Sequence, residues 1–330
     1  MARLPRLVDS FSIALIVTVG LGSLLPCHGR VGEFFNGLTT VAIAVLFFLH
    51  GAKLSREAVI AGATHWRLHL LVFASTFGLF PLMGLLAKPL GSSLVTPELY
   101  LGVLFLCTLP STVQSSIAFT SIAGGNVPAA ICSASASNLF GVFLTPLLVG
   151  LMVTTGGGKV SLLESVGGIV TQILLPFIAG QIARIWIGPW VERSRTLVRC
   201  VDQGSILLVV YTAFSEAVME GLWKQIPLKA LGWLVVINVV FLAVVLLVLW
   251  FLSGALGFNR SDRITITFCG SKKSLASGVP IAKVLFASQL VGPMVLPLML
   301  FHQIQLMVCA ALAQRWGRWS RAEASSGAPD

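Results

Sequence analysis

Of the 330 residues, 56% are hydrophobic and only 10% are charged, and the mean hydropathy is +0.93. Soluble domains carry about 25% charged residues, so these few charges could not cover a water-facing surface; the composition leaves an all-α polytopic membrane protein. The net charge of +10 lies in short segments between apolar runs and not in a basic stripe interleaved with aromatics, which excludes a nucleic-acid surface and makes the lipid bilayer the partner.

In chain order, MARLPRLVDSFSIALIVTVGLGSLLPCHG places Arg3 and Arg6 ahead of an apolar run. A secretory leader has this outline, but no A-x-A site follows and many equal runs come after, so a retained first span is the reading. Ten spans are predicted, at 9–26, 37–52, 67–88, 99–124, 127–153, 164–187, 203–221, 229–256, 262–287 and 290–315, with a hydrophilic stretch at 188–202 and a short tail over about 316–330. The six cysteines show neither CxxC nor metal-ligand spacing. TTGGGKV around Lys159 is not a phosphate loop, because Val153 stands where its first glycine belongs and Val160 follows the lysine. Counting Lys and Arg on alternate sides gives fourteen against six, with Lys272 and Lys273 left over. That bias predicts cytoplasmic termini and a place in the cell membrane.

Two spans are interrupted. LCTLPSTVQSSIAFTSIAGGNVP (106–128) carries Pro110 inside its apolar run, and FCGSKKSLASGVP (268–280) carries Gly270, Gly278 and Pro280 around two lysines. They are the fourth of the first five and the fourth of the second five. An odd number of spans per half inverts the second half, so the expectation is two inverted five-helix repeats, residues 1–158 and 159–330, with discontinuous fourth and ninth helices. Paired interruptions of this kind point to a transporter's binding site.

Polar residues gather at these places. The first set is Ser111, Thr112, Gln114, Ser115 and Ser116, and the second is Ser133, Ser135, Ser137 and Asn138, where a spacing of four puts Ser133 and Ser137 on one helix face. Hydroxyl and amide oxygens suit a hard cation such as sodium, while small hydroxyl residues also simply let membrane helices pack closely. The third set is Ser271, Lys272, Lys273 and Ser274. A lysine at a helix centre costs about 2.5–3.5 kcal/mol on insertion scales, so a spectator pair is unexpected unless the span is displaced and the lysines sit at an interface. His302 and Gln305 read either as a pathway or as packed polar groups. SKKS could imitate a serine–lysine dyad, but neighbouring residues do not share a helix face, and no enzymatic constellation emerges.

With ten spans and interrupted fourth and ninth helices, the chain resembles the bile acid:sodium symporter superfamily. FFLHGAKLSREA (47–58), LPSTVQSSIAFTSIAGGN (109–126), SNLFGVFLTPLL (137–148), LPFIAGQIAR (175–184) and FCGSKKSLASGVP look like the branch of sodium/bile acid cotransporter 7-like proteins. The resemblance implies a panel domain and a core domain, sodium as coupling ion beside crossing helices, and a small organic anion in the cleft between domains. By position it implies sodium ligands at Thr76, Ser115 and Ser116, and in the neighbourhood of Ser133, Ser137 and Asn138. It implies a crossing or substrate region at Pro110, Thr112, Gln114, Gly270, Ser271, Lys272, Lys273 and Ser274. Phe268 stands where the superfamily's bile-acid branch has a sodium-binding Glu, and Lys272-Lys273 where that bile-acid branch has Gln-Asn. A lysine is therefore expected to act as a tethered cation, replacing a sodium or meeting the substrate. Sodium-coupled symport by alternating access is the main expectation; a sodium-independent or proton-linked carrier, and a non-transporting regulator of ion or envelope homeostasis, are the alternatives. Oligomeric state is open.

Overall fold

The computed structural model describes residues 10–53, 65–89, 94–155 and 170–326, and all regular structure among them is helical. The helices are α1 (Ser10–Leu24), α2 (Gly29–Lys53), α3 (Trp66–Leu86), α4 (Pro97–Thr108), α5 (Gln114–Ala123), α6 (Val127–Thr155), α7 (Leu175–Arg193), α8 (Arg195–Met219), the short α9 (Leu222–Gln225), α10 (Leu228–Ala255), α11 (Arg260–Gly270), α12 (Leu275–Leu285) and α13 (Ser288–Ser326). Among the described residues, seven helices, α2, α3, α6, α7, α8, α10 and α13, are long and apolar enough to cross a membrane. Parts of α1 and α4 are apolar but shorter. This is an all-helical integral membrane protein.

Local chemistry sets the boundaries. Thr96 caps α4 by accepting from the Leu99 N–H, with Pro97 in the first turn where its missing N–H costs nothing. Asn259 caps α11 by accepting from Asp262 N. Gly124 ends α5 at φ 79°, a left-handed conformation that a side chain would oppose.

Packing groups the helices. α2 packs closely on α7, and α8 packs on both α1 and α2. Two glycines bring α2 and α7 together: a Cβ on Gly51 would overlap the Phe177 carbonyl, and one on Gly180 the Phe48 carbonyl. The other assembly is built around α13, which touches α4, α5, α10 and α12, with α6 against α4, α5 and α11. The two assemblies meet where α8 touches α12 and α13.

Two expectations change. The hydrophilic stretch at 188–202 is not a loop: α7 runs to Arg193 and α8 starts at Arg195, because a helix end outside the apolar layer needs no apolar residues. The tail expected from about 316 begins as helix. α13 continues to Ser326, and Trp316 is buried, stacked on Trp250 with centroids 4.5 Å apart. Residues 1–9 and 327–330 lie outside the described residues.

Candidate functional site

The chain leaves helical geometry twice inside the α13 assembly. α4 stops at Thr108 because the residue before a proline is driven out of the α region; Leu109 takes φ −75° and ψ 152° ahead of Pro110. α11 stops at Gly270, and Ser274 turns extended to cap α12, accepting from Ser277 N at 3.2 Å. Breaking a helix frees carbonyls that lipid cannot satisfy, so each needs a donor from the protein.

The donors can be named. Of the α4 break, Leu106 O accepts from Leu109 N, Thr108 O from Thr145 Oγ1 at 3.0 Å, and Ser111 O from Asn138 Nδ2 at 2.7 Å. Cys107 O would take Ser111 N in a continuing helix, but that N–H goes to Ser137 Oγ at 3.0 Å. Of the α11 break, Thr267 O accepts from Ser271 N, Cys269 O from Ser111 Oγ, Gly270 O from Ser75 Oγ, and Lys273 O from Gln305 Nε2. The breaks also bond each other directly: Ser274 N donates to Pro110 O at 2.8 Å. Asn138 links both, since its Oδ1 accepts from Ser277 Oγ at 2.8 Å.

Two further carbonyls of the α4 break, Cys107 O and Leu109 O, share one ammonium with Thr76 O of α3. Lys273 Nζ lies 2.7 Å from Thr76 O, 2.9 Å from Cys107 O and 2.8 Å from Leu109 O, and 4.2 Å from the Phe80 ring centroid. Thr76 O is open because of a π turn at Ser75–Leu79: Phe80 N reaches back to Ser75 O, and the residue five after Thr76 is Pro81, which has no N–H. Lys272 turns elsewhere. Its Nζ sits 4.0 Å from the Phe119 centroid and 5.5 Å from that of Phe268, without a hydrogen-bond partner among the described residues. Both lysines are 0% exposed.

Against the breaks lies a cleft of about 540 Å³. One wall carries Thr112, Gln114, Ser115, Asn138, Ser274 and Ser277; the other carries Phe47, His50, Phe177, Asp202 and Gln203. His50 Nε2 and Asp202 Oδ1 stand 3.8 Å apart across α2 and α8. On α8 and α12, outside the cleft lining, Glu216 pairs with Lys283 at 3.1 Å and accepts from Asn36 Nδ2 at 2.7 Å.

The model of the SBF-like CPA transporter family matches residues 9–318. The chain belongs to that family. It is a transporter and not an enzyme. Three relatives align over nearly their whole length. A Pseudomonas aeruginosa protein, "Uncharacterized protein PA2026", is 64% identical over 96% of each chain. "Putative symporter YfeH" of Escherichia coli is 57% identical over 96% of this chain and 95% of its own. "Sodium/bile acid cotransporter 7-B" of Xenopus laevis is 27% identical over 97% and 95%.

Within this transporter the sequence candidates fall into three groups. Pro110, Ser137, Asn138, Gly270, Ser274, Lys273 and Gln305 hold the two breaks together, Gln305 by accepting from Lys273 N at 2.9 Å while donating to Lys273 O at 3.0 Å. Thr112, Gln114, Ser115 and His302 line the cleft, and Thr112 Oγ1 lies 2.7 Å from Ser115 Oγ and 3.1 Å from Ser116 Oγ. The remaining candidates do other work. Ser133 bonds His69 on α3 at 2.7 Å, the Thr76 hydroxyl is spent on Val72 O while its carbonyl accepts from Lys273, and Ser271 closes the end of α11 through its N–H to Thr267 O.

Sequence reasoning missed Ser75, Thr145 and Ser277. Thr145 was findable: Ser133, Ser137, Gly141 and Thr145 repeat every four residues along α6. That stripe meets the α4 break, where a Cβ on Gly141 would come within 2.7 Å of the Pro110 ring.

Proposed function

We propose that this transporter carries a small organic anion across the cell membrane by alternating access, with the anion seated in the cleft beside the two breaks. The observation that carries this reading is that the first turns of α5 and α12 both line the cleft, through Gln114 and Ser115 on one and Leu275, Ala276 and Ser277 on the other. A helix N-terminus presents unpaired N–H groups and the positive end of its dipole, so two converging N-termini favour negative charge. Half-helices aimed at a central site are how secondary transporters hold anionic groups.

In this reading α4 with α5, and α11 with α12, each make one crossing. Ten crossings result, five in residues 1–158 and five in 159–330, related as inverted repeats. α1, α2, α7 and α8 form the panel and the α13 assembly the core, with the cleft between them. The Lys and Arg bias places the termini in the cytoplasm, and the cleft then opens to the cytoplasm while Glu216 and Lys283 hold the far side shut.

The three carbonyls around Lys273 support a carrier in which a tethered ammonium stands where a sodium ion would otherwise be needed. Sodium-coupled symport is the second reading, favoured by the hydroxyl cluster of Thr112, Ser115 and Ser116 and by the sodium in the Xenopus relative's printed name. The purified protein in empty vesicles, offered a panel of labelled carboxylates and sulfonates, tests both. Uptake in choline buffer supports the tethered-cation carrier, and uptake only in sodium favours the second reading. Failure of every anion under both conditions would overturn anion transport.

A further inference from the structure

Lys272 and Lys273 are neighbours in the α11–α12 break and equally buried, yet their ammonium groups are not equivalent. A lysine ammonium has three N–H bonds and a neutral amine two. Lys273 faces three carbonyl acceptors, so losing a proton would leave one buried oxygen without a donor. Its surroundings are built for the charged form. Lys272 has no acceptor at all among the described residues; its contacts are the faces of Phe119 and Phe268. Losing its proton forfeits ring attraction but breaks no hydrogen bond.

Size narrows the ligand. Lys272 is fully buried and does not line the cleft, so a substrate group has no room beside its Nζ, whereas a proton needs none. Among the described residues, the titratable groups in electrostatic reach are Cys269 on α11, Cys309 and His302 on α13, and Lys273 beside it in sequence. α5 contributes the uncharged Phe119. None of these groups is a carboxylate, so no fixed negative charge locks Lys272 in one state. Among them, His302 also lines the cleft. The orientation of Gln305 is set by the Lys273 backbone, so its Nε2 donates to His302 Nδ1 at 3.0 Å and the ring N–H of a neutral His302 is at Nε2.

We propose that Lys272 binds and releases the coupling proton of this transporter, and that Lys273 is a permanent cation which does not exchange. The step is simple: the Lys272 ammonium gives up one proton to a water molecule admitted from the cleft, leaving a neutral amine between two rings, and the reverse step restores it. His302 takes no proton, because its Nδ1 lone pair is held by Gln305 and its Nε2 already carries one. The purpose of this exchange rests on the anion-carrier reading, but the exchange itself does not.

The test uses the full-length protein labelled with ¹⁵N-lysine in detergent micelles, recording Nζ resonances across a pH series. One signal should change charge state with pH and be missing from K272M. A second should keep the ammonium position throughout. Should K273M fold, that second signal is missing from it; should it not, the comparison of wild type with K272M decides alone. The proposal is overturned if K272M retains every signal that titrates apart from the surface lysines, or if no buried lysine changes state. No substrate enters the measurement, so its failure is separate from a failure of anion uptake.

Discussion

The ammonium of Lys273 stands 2.7 Å from the carbonyl oxygen of Thr76, a group that its own helix cannot satisfy. The π turn draws the Phe80 N–H to Ser75 O, and Pro81 has no N–H to offer next. Replacing Pro81 by Ala supplies that donor inside α3, and the Lys273 seat then competes for Thr76 O. P81A should slow uptake while changing stability by no more than about 1 kcal/mol, the net worth of one hydrogen bond. Vesicle uptake beside thermal unfolding checks this; wild-type uptake would show that the open carbonyl has no role.

The two lysines should differ sharply in what their removal does to the fold. K273M strips three buried carbonyls of their donor, and each unsatisfied group costs about 1–3 kcal/mol. K272M removes a buried ammonium that has no hydrogen-bond partner among the described residues, and its effect should be near neutral or stabilising. Unfolding midpoints of the purified variants in one detergent make the comparison. Equal losses would contradict the assignment of the three carbonyls to Lys273.

Asn138 reaches both breaks, donating to Ser111 O and accepting from Ser277 Oγ. N138L and S277A should each destabilise, and the double variant should lose less than their sum, by about 0.5–3 kcal/mol of coupling. A double-mutant cycle on unfolding free energy reads this directly. Strict additivity would mean that the bridge between α6 and α12 contributes nothing.

Gly180 lies against the backbone of Phe48, leaving no room for a methyl group. G180A should force α2 and α7 apart, lowering the unfolding midpoint and the yield of folded protein, whereas G20A, with open space around it, should be mild. Comparable behaviour of the two would argue against close packing of this helix pair.

Glu216 and Lys283 are a partly buried pair joining α8 to α12. Such a pair contributes about 0.2–1 kcal/mol, which corresponds to about a 1.4- to 5-fold change in a conformational ratio. E216Q should favour the state open on that side, so a cysteine replacing Ser135 in the cleft should be alkylated more slowly by a similar factor. The swap E216K/K283E should restore the rate, and an unchanged rate in E216Q would remove the pair from gating.

Much of the architecture was legible because membrane helices leave long apolar runs, and because proline and glycine inside such runs mark interruptions. Pro110, Gly270 and the buried lysines were visible for that reason. What surrounds the lysines was not. The acceptors for Lys273 are backbone carbonyls, which carry no residue signature, and Thr76 serves through its main chain while its hydroxyl is spent on Val72. The helical continuation past Arg315 was hidden because hydropathy falls there, although Trp316 stacks on Trp250 and Gly317 lies against the backbone of Ile122. Ser133 misled because helix periodicity gives a shared face but not the neighbour on that face, which here is His69.

The cross-linking of the two breaks decides where the molecule can bend. With these carbonyls matched to donors and Gln305 gripping the Lys273 peptide from α13, the knot resists shear and would travel as a rigid block. In the alternating-access reading, displacement would fall to the seam between α8 and the α12–α13 pair, where a Cβ on Gly292 would press on that of Ala217 and where Glu216 and Lys283 form the ion pair that must part. In that reading the seam would be the sliding plane, and the most heavily bonded region would be the block that moves across it.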